Sequence, residues 1–274
     1  MPDTTGTTTT PGTATPERGL STPGTEPSGT DPSATELSGT ATPDTAAPES
    51  TTPPQPATPS YTATDRTVPT RDADRARYDK EMVHAILDEG YVCHLGFVRD
   101  GAPVVLPTLY GRVGERLYVH GSTGSRPLRM TGKADPGLPV CLTVTHVDGL
   151  VLARSAFHHS INYRSVVVHG IARDVTDPDE KRAALDALVD HVVPGRAADS
   201  RPANRKELAA TAVIYLDLDE VSAKLRTGGV NEEPEDHALP HWAGVVPLRK
   251  GYDAPLPDPG LASGTALPDY LARL

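Results

Sequence analysis

The chain has 274 residues and a formal net charge of −10, which allows one or two domains. No segment approaches the ~20 apolar residues of a membrane span. No basic run of the kind that follows a phosphate backbone is present, so membrane and nucleic-acid partners are both disfavoured. Residues 1–60 are almost entirely Thr, Pro, Ser, Gly and Ala, and they carry seven acids against one base, Arg18. Such a stretch cannot bury enough apolar surface to offset backbone ordering, and its Thr-Pro and Pro-Gly steps block helices and strands. A disordered tail is expected over 1–70. It lacks the basic start and apolar run of a secretory signal, which predicts a soluble, cytoplasmic protein.

Order is expected from about Arg75. Asp79 can cap a helix running to Glu89, with Met82, Val83, Ile86 and Leu87 on one face and Gly90 after its end. The period then changes to that of strands. Tyr91–Val98 and Val104–Val113 form a hairpin across the Arg99-Asp100-Gly101 turn. Pro107, which has no N–H, marks the second strand as an edge or a bulge. Arg116–Gly121 is a third strand, and a short helix follows from Ser125 to about Thr131.

Pro139–His146 reads as a fourth strand closed by a Val147-Asp148-Gly149 turn. Leu150–Ala156 continues apolar, and Tyr163–Val175 is a long strand. Asp177-Pro178-Asp179-Glu180 opens a helix, with acids at the positive end of its dipole. Ala184, Leu185, Leu188 and Val192 are its apolar face, and Pro194-Gly195 ends it. Asn204–Leu208 reads as helix, and Ala212–Leu218 and Val221–Leu225 as the last strands. Strands joined by short turns favour an antiparallel barrel over a doubly wound sheet. The predicted fold is mainly β (α+β): a six-stranded antiparallel split β-barrel with flanking helices over 71–230. A C-terminal extension, 231–274, is expected to wrap the barrel or a second subunit. Cys93 and Cys141 fall in apolar runs and read as buried thiols.

Two segments can carry chemistry. In the first, a strand ending at His120-Gly121 runs into Ser122-Thr123-Gly124-Ser125-Arg126, with Arg129 behind. Hydroxyls, backbone N–H groups and two arginines on one helical face suit a phosphate; the alternative is a capped helix with solvated arginines. His120, directly before this turn, can move protons near neutral pH, or it can be an ordinary strand histidine. The second segment, Arg154 to Ser165, gathers two arginines, two histidines and a tyrosine that need partners. It predicts a cleft or interface. His158 and His159 are adjacent and would point apart on an extended chain, so no metal site is expected. No G-x-G-x-x-G, P-loop, G-x-S-x-G or H-E-x-x-H motif occurs.

In order and spacing, five stretches resemble the pyridoxamine 5′-phosphate oxidase-like flavin-binding split barrels, in particular the nitroimidazole-resistance branch. They are Tyr91–Phe97, Val105–Tyr110, Leu117–Ser122, Asn162–Gly170 and Val193–Gly195. The resemblance implies a homodimer with two FMN sites at the subunit interface. It puts the flavin ring along Leu106, Pro107 and Thr108, and its phosphate at Ser122, Thr123, Ser125, Arg126 and Arg129, with Arg164 approaching from the strand opposite, of the same or of the partner subunit. It also makes His120 a candidate catalytic residue beside the substrate. The R-x-V-x-L and R-x-H motifs of the oxidases proper are missing, so vitamin B6 oxidation is not implied. The expected activity is FMN-dependent reduction of a small substrate, such as a nitroaromatic compound, with NAD(P)H or another donor. The alternatives are a flavin or haem carrier without turnover, with ten histidines leaving haem open, and a deazaflavin-dependent reductase.

Overall fold

In the computed structural model, residues 58–274 are described. The expected tail therefore falls largely outside the described residues. Its last stretch, however, is not a tail. Tyr61 is buried in the main core, where its hydroxyl donates to Glu115 at 3.0 Å, and Thr64 and Arg66 both bond Glu220. One buried aromatic ring brings enough apolar area to hold this segment, so Tyr61 to Arg66 belong to the folded unit and not to the tail expected over 1–70.

Helix α1 (Lys80–Glu89) starts where Asp79 accepts from the Met82 N–H, and it buries Val83, Ile86 and Leu87. Strands β2 (Val92–Arg99) and β3 (Ala102–Val113) form the predicted hairpin. Arg99 pairs with Ala102, and Asp100 and Gly101 both have positive φ, the backbone of a two-residue type I′ turn. Strand β4 (Arg116–Ser122) and the short α2 (Arg126–Thr131) follow. Next come β5 (Leu138–Leu152) and β6 (Ser160–Asp174), each 15 residues long. Helices α3 (Pro178–Val192) and α4 (Arg205–Ala210) precede β7 (Thr211–Asp217) and β8 (Glu220–Arg226). A two-residue strand β1 (Ala76–Arg77) pairs with β8, and β9 (Gly244–Pro247) pairs with β5.

All these pairings are antiparallel, and six strands close a ring in the order β2, β3, β4, β7, β6, β5 and back to β2. β8 adds to β6 outside that ring. The architecture is the expected antiparallel split-barrel type. One expectation fails: Val147-Asp148-Gly149 is not a turn. β5 runs straight through it with a register shift. Asp148 is the extra residue of a bulge, its carboxylate held by Arg164 of β6 and its carbonyl accepting from the Leu248 N–H. Gly149 lets β9 approach, since a Cβ there would lie 3.0 Å from the Val246 carbonyl oxygen.

The ring interior holds the main core, including Leu95, Tyr110, Leu117, Leu142, Val166 and Val168. A second cluster, Tyr118, Val175, Ala184, Leu188 and Val213, lies where α3 packs on the outside of β4 and β7. Gly111 brings α3 close, because a Cβ there would meet the Leu188 Cα at 3.2 Å. No helix among the described residues is long and apolar enough to cross a membrane.

Candidate functional site

Side chains alternate along β4. Leu117 and Val119 join the main core, while Tyr118 faces α3; His120, two residues on, shares the α3 side. Beyond the Tyr118 cluster the space under α3 is unfilled. It forms a cavity of about 1050 Å³, at the upper end of the ~300–1,000 Å³ typical of small-molecule sites. Leu109 and His120 are on its sheet side, Leu185, Leu188, Val189 and Val192 come from α3, and Arg196 and Arg201 come from the α3–α4 connection. The Nδ1 of His120 is buried with no hydrogen-bond partner among the described residues. Burial pushes the imidazole below its ordinary pKa, favouring the neutral ring.

β3 leaves one edge open beside this cavity. Leu106, Pro107 and Thr108 pair with Leu95, His94 and Cys93 of β2. The pairing of β3 with β4 begins only at Tyr110. Pro107 therefore sits on an edge, as its missing N–H requires. The open stretch leads to Leu109 at the cavity wall.

The hydroxyl-rich turn stands at the cavity's other side. Ser122 pairs with Thr211, which lines the cavity. The Ser122 Oγ accepts from the Gly124 N–H at 3.1 Å, and the Thr123 N–H donates to the Ala210 carbonyl. Ser125 precedes α2 without a side-chain capping bond, so its hydroxyl is not spent on the helix. Leu128 anchors α2 against Gly121, where a Cβ would lie 2.7 Å from Leu128 Cδ1. Arg129 is exposed; the side chain of Arg126 lies outside what is described.

Arg164, expected opposite the flavin, is occupied elsewhere. It bonds Asp148 through Nε at 2.9 Å and Nη2 at 2.8 Å, and Glu89 through Nη1 at 2.5 Å and Nη2 at 2.9 Å. Both carboxyls are held below the usual carboxylate range, first by these bonds. Arg164 does not line the cavity. Of the polar second segment, Arg154 pairs with Glu232, Asn162 bonds Gly228 and Arg226, and Phe157 is 87% exposed.

Sequence reasoning missed His146, which is buried. Its Nε2 lies 3.0 Å from the Ile86 carbonyl, an acceptor, and the Lys250 ammonium, a donor, lies 3.0 Å from its Nδ1. Those partners fix the Nε2–H tautomer. His146 thus ties α1 and the C-terminal segment to β5, and only the three-dimensional register brings them together. Among the described residues no cluster of three His, Cys, Asp or Glu side chains is placed to hold a bare metal ion.

The family model described as pyridoxamine 5′-phosphate oxidase matches residues 79–225, more than half of the chain. The chain belongs to that family. Among solved members, the flavocytochrome Anf3 from Azotobacter vinelandii is 40% identical, with a TM-score of 0.71 over 77% of this chain and 96% of that one. An FAD and heme binding protein from Mycobacterium smegmatis is 43% identical, with a TM-score of 0.68 over 73% of this chain and 96% of that one. A protein proposed to confer 5-nitroimidazole resistance, from Bacteroides thetaiotaomicron, is 23% identical with a TM-score of 0.46, over 54% and 85% of the two chains. A search of curated proteins finds no match. Within the family's matched span lie the open β3 edge, His120, the hydroxyl turn and every residue that lines the cavity.

Proposed function

We propose that this family member is a redox protein holding a flavin nucleotide and a haem. The observation that carries the reading is the continuous site formed by the open β3 edge, the cavity under α3 and the hydroxyl turn. Its support is the 40% and 43% identity, over about three quarters of the chain, to a flavocytochrome and to an FAD- and haem-binding protein. Bound flavin supplies hydride and one-electron chemistry, and haem iron supplies one-electron and O₂ chemistry.

The residues fit both groups. Leu106 and Thr108 offer backbone groups on an unpaired edge for an isoalloxazine ring. Ser122, Thr123 and Ser125 offer hydroxyls and N–H groups for a phosphate, and Arg126 and Arg129 follow in sequence. The nucleotide extracted from the protein decides between FMN and the FAD of one relative. The cavity offers apolar walls and an unpartnered imidazole, which suit a macrocycle. Arg164, bonded to Glu89 and Asp148, is left out of this flavin-holding set.

The visible spectrum of freshly isolated protein is the test. Flavin bands together with a Soret band are expected, and NAD(P)H under anaerobic conditions is expected to bleach the flavin. Flavin bands without turnover of any nitroaromatic or small electron acceptor would reduce the reading to a carrier. A colourless protein that takes up neither group on reconstitution would end it.

A further inference from the structure

We infer that the cavity under α3 is the haem pocket of this chain and that His120 is the axial ligand to the iron; this rests on the flavin-and-haem reading above. The first observation is the state of the ring. Among the described residues, the Nδ1 of His120 is the one buried side-chain nitrogen or oxygen left without a partner. Buried polar groups are nearly always bonded, so a ring nitrogen buried without a partner marks a histidine held in place for function rather than for packing. The ring lines the cavity while Nδ1 is shut away, so Nε2 is the nitrogen that can reach a ligand there.

The second observation is the company the ring keeps. A bare metal ion needs three or four protein ligands, and no such cluster accompanies His120. Iron in a porphyrin already has four nitrogens and asks the protein for one axial group. One isolated imidazole in an apolar cavity matches that demand. Leu109, Leu185, Val189 and Val192 supply apolar contact for the macrocycle.

The third observation is at the cavity rim. Arg196 and Arg201 line it. Arg196 meets Asp199 and the Tyr270 hydroxyl, and Arg201 meets Glu207, in exposed contacts, with the two arginines 46% and 66% exposed. Such pairs are weak, so both guanidinium groups can turn to the two propionates, a charge-assisted contact that carboxylates favour. Leu109 then places this pocket one residue from Leu106–Thr108, the edge offered to the flavin.

The experiment uses the full-length chain, isolated and saturated with haemin, and compares wild type with His120→Ala, His120→Tyr and His120→Gly. In the wild type, resonance Raman of the reduced protein is expected to show an iron–histidine stretch. Because Nδ1 lacks a hydrogen-bond acceptor, the band belongs at the weak-donor end of the range, since second-shell bonding is what raises imidazole basicity. His120→Ala is expected to lose that band and at least tenfold in haemin affinity while keeping its flavin. His120→Tyr is expected to give a tyrosinate-type spectrum, and added imidazole to restore the band in His120→Gly. Arg196→Ala with Arg201→Ala is expected to weaken haemin binding at least tenfold without changing the band. If the wild type binds haem but His120→Ala and His120→Tyr keep its axial signature, the ligand assignment is overturned and the cofactor reading stands. If the wild type binds flavin and no haem, the haem part of that reading fails and takes this assignment with it. Flavin content and circular dichroism of each variant separate lost ligation from lost fold.

Discussion

Arg164 is the residue on which three elements converge: β6 carries it, α1 supplies Glu89, and the β5 bulge supplies Asp148. Arg164→Gln should cost about 1–2 kcal/mol after allowing for the partial exposure of the pair, read as a lower melting temperature. Both carboxyls titrate lower in the folded protein than in the unfolded chain. Their stabilisation is therefore complete above the ordinary carboxylate range, near ~4, and fades as pH falls through the folded values. The melting gap between wild type and variant should be full at neutral pH and shrink below about pH 4; a gap independent of pH would remove the ion pairs from the account. The Cys93 thiol, pushed up to about 12 by burial, and the Cys141 thiol, also raised by burial, should label slowly in the native protein and fast once it is denatured. His120 and the hydroxyl turn were legible in the sequence because they are contiguous. The partners of Arg164 were not, since Glu89 lies 75 residues away and only the packing of α1 on the sheet brings it near. His146 was silent for the same reason.

At the scale of elements, the helices declare themselves by caps. Asp177 accepts from Asp179 and Glu180, Asn204 closes a capping box with Glu207, and each start is visible in the sequence. The Asp-Gly pairs are less decisive. At Asp100-Gly101 the chain reverses; at Asp148-Gly149 it bulges and continues. The residues after the second pair make the difference, because Leu150 and Val151 find both β6 and β9 to pair with, a non-local fact. Gly149→Val should force β9 off β5, because its Cβ would press on backbone at 3.0 Å. A loss of about 1–3 kcal/mol is expected, together with faster hydrogen exchange at Val245 and Val246. Unchanged exchange there would mean that β9 is not held by this approach.

At the scale of the whole molecule, the ring closure was legible as a class, from strand count and short turns, while its order was not. The outward face of the β2–β3 hairpin carries Val92, Val98, Val105 (64% exposed) and Leu109, alternating with a buried set, Cys93, Leu95 and Phe97. A contiguous exposed apolar face of this kind marks an association surface, and it adjoins the edge offered to the flavin. A homodimer through this face is the expected assembly. Sedimentation at micromolar protein should give twice the chain mass, and Val105→Asp should give one chain mass and reduced flavin content. A wild type of one chain mass with full flavin would reject that assembly.

The C-terminal segment has a consequence for how the protein ages. Lys250 fastens it to His146, and the Tyr270 hydroxyl bonds both Arg196 and Asp199. Between those fastenings every residue from Gly251 to Leu267 is exposed, Leu256 to 93%. A strand of chain moored only at its ends is the natural first cut for a protease, and nicking it would leave the ring whole. What the nick would release is the far mooring, and with it the arginine at the mouth of the cavity: wear at the edge of the molecule would be felt at its centre as a change in grip on an anionic guest.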